Sequence, residues 1–335
     1  MRAIVQHAYG TSEVLRLEDI EQPTPGRHDV RVRVHAASVN HADVLLTLGR
    51  PYVMRAALGL RRPRVAVAGR DLAGEVDAVG AAVTRFSPGD RVYAETTTGS
   101  FAEYTCVPER LVALMPTNLS FEQAAAVPLA AVAALQGLRD VGGVQPGDAV
   151  LVNGASGGVG TFAVQIAQAL GADVTGVCST RNVELVRSLG ADHVIDYTHE
   201  DFTRSGQRYD VILDLAGRHT VTACRRALTR TGTLVSASGH GGPVLGPLGH
   251  YLRTLALSPL TSQRLRVLAA KPSRHDLETL SALIEGRRVK PVIEKTYGLI
   301  ETVDAVRHLA EHHARAKIVI AVRQTGPPPP TMDAP

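Results

Sequence analysis

The chain contains no tryptophan, and its aromatic residues amount to only 4%. So few rings leave little for nucleic-acid bases to stack on. Charge gives no stronger signal: 36 Lys and Arg face 32 Asp and Glu, a net of +4. The basic residues are scattered, and GLRRP and RPRV, together residues 59–65, form the one dense patch. This excludes a nucleic-acid partner and leaves a mild preference for small anions such as phosphates. Only three cysteines occur, Cys106, Cys178 and Cys224, with no Cys-x-x-Cys pair. A thiolate metal cluster and a disulfide framework are thereby excluded, and a reducing, cytoplasmic setting is expected. No apolar run approaches the roughly 18 residues that a membrane span needs. No membrane partner is expected. The opening MRAIVQHAYG reads as a strand and not as a signal peptide. Residues 324–335, ending GPPPPTMDAP, suit neither helix nor ladder and are expected to be disordered.

A length of 335 residues fits about two domains. The first third reads as β: RAIVQ, DVRVRVHAASV and GRDLAGEVDAVG are rich in β-branched residues, and RFSPGDRVYA is a turn feeding a strand. The texture changes near Leu119. SFEQAAAVPLAAVAALQGLRD reads as a helix capped by Ser120 and interrupted by Pro128. Strands and helices then alternate. DAVLVNGA, DVTGVCS, DHVIDY, YDVILDLAG and TLVSASG are strands, whereas GTFAVQIAQALG, NVELVRSLG and VTACRRALTRTG are helices. That alternation implies parallel βαβ units in a doubly wound sheet. Residues 240–263 are Gly/Pro-rich and read as a lid, interface or crossover. The elements after them return to the first domain. The expected domains are 1–121 with 264–323, β-rich, and 122–263, α/β, with 324–335 as a tail.

VLVNGASGGVGTFAVQIAQ carries the strongest chemical signal. A strand runs into Gly154, Gly157, Gly158 and Gly160 and then into an amphipathic helix. Such glycines let a backbone turn sharply and approach a phosphate, which the helix N-terminus then holds. A Gly-rich turn binding nothing is the plainer alternative. The complete strand–loop–helix–strand context favours a dinucleotide, with Ser156 and Val159 in the same loop. At the end of the second strand an acid would bond the ribose hydroxyls of NAD. Here stand Ser179, Thr180 and Arg181, with Tyr197 closing VIDY. Hydroxyls and a guanidinium suit a 2′-phosphate, so NADPH is the expected cofactor. Gly239, at the end of TLVSASG, joins the candidate cofactor contacts.

Together these segments resemble the medium-chain dehydrogenase/reductase superfamily, and within it the zinc-free quinone oxidoreductases like zeta-crystallin. GDAVLVNGASGGVGTFAVQIAQ, VAGRDLAGEVDAVG, FSPGDRVYA and SLGADHVIDY carry the resemblance, which spans residues 1–323. It implies a GroES-like catalytic domain, a Rossmann domain, a homodimer pairing Rossmann edge strands, and an active site in the interdomain cleft. Zinc alcohol dehydrogenases of the superfamily have a Cys-His-x-Asp-like segment where this chain reads Asn40-His41-Ala42-Asp43, and Gly-His-Glu where it reads Gly69-Arg70-Asp71. An amide and a guanidinium replace two ligands, and a guanidinium cannot lose its proton to bind metal. No metal is expected.

Without zinc to hold an alkoxide, hydride is better delivered to an acceptor that spreads its own charge, such as a quinone or an α,β-unsaturated carbonyl. Asn40 is the first candidate for a substrate-facing donor, and Tyr52 the second, by resemblance to the branch's active-site tyrosine. Asp43 is expected to anchor the loop. Ordinary loop structure is the alternative for all three. Lys317 is a candidate contact of cofactor or substrate, or else a plain surface lysine. It follows Ala316, where the family commonly has Gly, and Ala133 stands where Thr is frequent. Two rival functions are an enoyl thioester reductase of a biosynthetic pathway and an NADPH-binding protein without turnover.

Overall fold

The computed structural model describes residues 1–238, 244–246, 248–311 and 314–323. The N-terminal part contains β1 (Arg2–Gln6), β2 (Leu15–Asp19), β3 (Asp29–Val39), α1 (His41–Leu48), α2 (Arg55–Leu58), β4 (Asp71–Val79), β5 (Arg91–Glu95), β6 (Tyr104–Pro108) and β7 (Val112–Leu114). The middle contains α3 (Phe121–Ala125), α4 (Pro128–Leu135), β8 (Ala149–Asn153), α5 (Gly158–Ala169), β9 (Asp173–Cys178), α6 (Val183–Ser188), β10 (His193–Asp196), β11 (Tyr209–Asp214), α7 (Val221–Arg226), β12 (Leu228–Ser236), α8 (Leu248–Leu257) and β13 (Arg264–Val267). Last come α9 (Arg274–Glu285), β14 (Ile293–Gly298), α10 (Thr302–Glu311) and β15 (Lys317–Ala321).

The middle segment forms a six-stranded sheet in the order β10-β9-β8-β11-β12-β13, parallel throughout. The order reverses between β8 and β11, the switch point where ligands bind in such sheets. Both faces are covered. Val150, Val152 and Leu213 face a core with α4 and α5, and Leu151, Ile212 and Leu234 face another with α7. Burial on both faces explains why these strands read as unbroken apolar runs.

The second sheet runs β14-β15-β3-β4-β5-β7, with β6 also on β3. β15 lies antiparallel to β3, pairing Ile318 with Val39. The chain's end therefore does return to its beginning. The boundary at 263/264 is corrected, because β13 pairs with β12 in the parallel sheet. Its four residues, RLRV, are too few and too charged to announce a sheet strand after an irregular segment. β12 starts at Leu228, so LTRTG, which reads in sequence as the end of a helix, is its first half. β12 is also an interior strand. The sheet's edges, where the expected pairing with a second copy would have to occur, are β10 and β13. The expected tail lies outside the described residues.

Candidate active site

The glycine loop follows from its backbone. Gly154 adopts φ +93°, a left-handed value that glycine tolerates without strain. Gly157 caps α5. A Cβ on Gly160 would lie 2.1 Å from the Gly154 carbonyl oxygen, so only glycine lets the helix approach the turn this closely. The N–H groups of Gly158, Val159 and Gly160, in the first turn of α5, have no carbonyl of a preceding turn to meet. They form an anion-binding end. The Ser156 hydroxyl is held by Asn182 Nδ2 at 3.0 Å, and Asn182 Oδ1 is buried without a hydrogen-bond partner among the described residues. Asn182 lies beside this turn and was not among the sequence candidates, although it directly follows Arg181.

A second corner forms where β9 ends. Ser179 lies beside Asn182, 3.3 Å from its Nδ2. The Tyr197 N–H donates to the Cys178 carbonyl, which brings its half-exposed ring to the same corner. Arg181 and Thr180 are exposed. Thr180 bonds Thr198 at 3.0 Å, and hydroxyls of both hold the Asp196 carboxyl below its usual range. The structure adds Arg218, whose guanidinium lies 5.7 Å from the Tyr197 ring. It follows β11, far along the chain, so the local sequence around β9 could not reveal it. Gly239 lies outside the described residues.

The third cluster is buried between the sheets. β3 ends at Val39, and Asn40 is the N-cap of α1 in extended conformation. The Asp43 carboxylate accepts the Asn40 N–H at 2.7 Å, anchoring the turn as expected. Its second oxygen, Oδ1, has no partner among the described residues, and desolvation pushes the carboxyl up to about 7. Asp71, the first residue of β4, is fully buried. It accepts from Ser38 Oγ (3.1 Å), Asn40 Nδ2 (2.9 Å) and the Leu129 N–H at the start of α4 (3.0 Å).

Lys317 completes the cluster and is only 2% exposed. Its Nζ donates to Asn40 Oδ1 at 2.5 Å and lies 3.5 Å from Asp71 Oδ2. Burial pulls the ammonium below its ordinary value, against the upward pull of Asp71 and Asp43. Two expectations are corrected here. Lys317 is no surface lysine, and its ammonium faces the cluster. Nor is Asn40 a free donor. Its amide hydrogens meet Asp71 and, at 3.4 Å, the Ser38 carbonyl, because a buried amide must find partners. Tyr52 stands apart, 40% exposed, with the Arg55 guanidinium 4.6 Å from its ring centroid.

The cluster and the glycine loop meet. The Ala316 N–H donates to the Ser156 carbonyl at 2.8 Å, and the Lys317 Cδ lies 3.2 Å from where a Cβ on Gly158 would be. Across the cleft's rim, the Val53 N–H bonds the Val244 carbonyl at 3.2 Å. The stretches around Val53 and Val244 are thus neighbours.

Comparison with known proteins agrees with this anatomy. Residues 26–117 match the alcohol dehydrogenase GroES-like domain, and residues 189–320 match a family described as zinc-binding dehydrogenase. A quinone oxidoreductase of Pseudomonas aeruginosa is 33% identical, over 93% of this chain and 97% of its own length. An Arabidopsis thaliana chloroplastic NADPH-dependent alkenal/one oxidoreductase is 34% identical, over 96% and 79%. The solved quinone oxidoreductase of Coxiella burnetii superposes with a TM-score of 0.85 at 29% identity, covering 96% of this chain and 99% of that one. The chain belongs to the medium-chain dehydrogenase/reductase superfamily. It is an oxidoreductase related to the superfamily's quinone oxidoreductases. The zinc in the family's description does not fit the residues present. Among the described residues no three His, Cys, Asp or Glu side chains are grouped to hold a metal. Asn40 and Arg70 offer an amide and a guanidinium, Arg70 is paired with Glu95 at 2.6 Å, and an ammonium already faces Asp71.

Proposed function

We propose that this oxidoreductase uses NADPH to deliver hydride, without a metal, to a quinone or an α,β-unsaturated carbonyl. The observation that carries this reading is the junction of the phosphate-binding turn with a cluster whose donors do not suit zinc, through Ala316 and Ser156. The names of the two relatives above support the acceptor class. The bound nicotinamide supplies the hydride. The α5 N-terminus and the Gly154 turn hold the pyrophosphate. Ser179, Thr180, Arg181 and Tyr197, joined by Arg218, hold the 2′-phosphate. Asn40, Asp71 and Lys317 form a charge-compensated polar floor that fixes the α1 turn, its amide and ammonium engaged with one another and with Asp71. The acceptor must therefore spread the arriving charge itself, as a conjugated carbonyl does when hydride lands on carbon. Tyr52 is the donor to the oxygen, and solvent supplies the proton.

The test is NADPH oxidation by chelator-dialysed protein against quinones, enones and enoyl thioesters, with NADH as control. Quinones or enones should turn over undiminished, with NADPH preferred. Activity lost to the chelator and restored by zinc would contradict the reading. Arg181→Gln should cut the preference for NADPH by roughly ten- to a hundredfold and leave NADH turnover unchanged, as loss of a charge-assisted bond implies.

A further inference from the structure

The net charge of +4 conceals a sharp division. No Asp or Glu occurs between Asp43 and Asp71, nor between Asp214 and Asp276. These two stretches carry 15 Lys and Arg residues. The remainder has 21 basic against 32 acidic residues, a net of −11. The same two stretches hold ten of the thirteen exposed large apolar side chains among the described residues, including Met54, Leu60 and Leu245. On α8, Leu248, Leu252 and Leu255 share one face, at intervals of four and three residues, and all are exposed. The stretches touch. Val53 bonds Val244, a Cβ on Gly246 would lie 2.9 Å from Pro51, and α8 begins two residues later. Arg50, Arg61, Arg62, Arg64 and Arg253 are exposed beside these side chains in the chain.

From this coincidence we propose that the rim formed by residues 50–65, 244–246 and 248–257 docks on an anionic lipid bilayer. Charge alone would fit a nucleotide or a thioester carrier, but neither needs a field of exposed aliphatic side chains. Nucleic acid would need rings, and the rim offers only Tyr52 and Tyr251. A second copy meeting this face symmetrically would set arginines against arginines with no acid to answer them. An anionic bilayer answers both features. Its headgroups neutralise the arginines, and its acyl boundary accepts Leu252, Leu255 and Met54. No helix among the described residues is long and apolar enough to span a membrane, and a peripheral face needs none. The proposal departs from the expectation that no membrane takes part. Its consequence, that a lipophilic acceptor passes from bilayer to cleft, rests on the proposed function; the docking itself does not.

The experiment is flotation of the full chain with vesicles of phosphatidylcholine alone or mixed with phosphatidylserine, at rising salt. The chain should float with the mixed vesicles only, and salt should weaken binding. The triple variant Arg61→Gln/Arg62→Gln/Arg64→Gln should lose about a hundredfold in partitioning, roughly fivefold per arginine. Leu252→Gln/Leu255→Gln should abolish binding that survives high salt. Both variants should keep wild-type turnover of a water-soluble acceptor, which checks their folding. Failure to float, or equal flotation with both vesicles, would overturn the proposal. So would a leucine variant that turns a dimer into a monomer while the wild type ignores vesicles, since the face would then belong to a second copy.

Discussion

Asp43 carries more than its place in a helix cap implies. Its carboxyl is buried, one oxygen holds the Asn40 N–H, and the other has no partner among the described residues. Its value of about 7 in the fold exceeds its unfolded value, so the fold holds this proton more tightly. The stability it contributes is complete below the unfolded value, about pH 4, and is lost as pH rises through about 7. The loss is on the order of 4 kcal/mol at most. Asp43→Asn keeps an oxygen for the Asn40 N–H and removes the titration. Urea unfolding across this range should show stability falling in the wild type and flat in the variant. Equal slopes would assign the dependence elsewhere. Ala316 offers a second test. Its φ of +64° costs an L-residue about 1–2 kcal/mol. Ala316→Gly should therefore raise stability by up to about 1 kcal/mol once glycine's greater unfolded freedom is deducted. A lower melting temperature would contradict this. The sequence could mark Ala316 as unusual only against the family's glycine; that it sits in the left-handed region is visible only in three dimensions.

At the scale of elements, the β8–loop–α5 unit was legible because its signals are local. An apolar strand, four glycines and an amphipathic helix follow one another within about twenty residues. It is also the unit least tolerant of added volume. In Gly160→Ala the new Cβ would meet the Gly154 oxygen and the Ala155 backbone, and the turn must open. NADPH affinity should fall about five- to a hundredfold, the range that forced overpacking implies, with the overall fold retained by circular dichroism. Unchanged affinity would separate this turn from the cofactor. The parallel sheet's far edge was less legible. β13 is a short edge strand with alternating charge, and only its pairing with β12 assigns it. The polar cluster was illegible as a cluster, since 277 residues separate Asn40 from Lys317. Asn40 could be recognised as a lost ligand; that its amide is taken by two charged neighbours follows from burial, which sequence does not show.

At the scale of the whole molecule, the two sheets are joined by more than adjacency. Tyr93 on β5 donates to the Leu277 carbonyl of α9 at 2.6 Å, and Asp71 on β4 accepts the N–H of Leu129 on α4. Alanines 124–126, 130, 131 and 134 belong to one core with Ala73 and Tyr93, small enough to let α3 and α4 settle between the sheets. The glycine turn and the polar cluster are thereby held in fixed relation, as the proposed hydride transfer to a defined carbon would require. In the proposed reaction the acceptor, and not a metal, carries the charge. The most direct measurement uses chelator-treated protein, an enone, and NADPH deuterated at nicotinamide C4, with the product read by mass spectrometry and NMR. Deuterium is expected on the β-carbon of a saturated ketone. Deuterium on the carbonyl carbon of an allylic alcohol would contradict the proposed reaction.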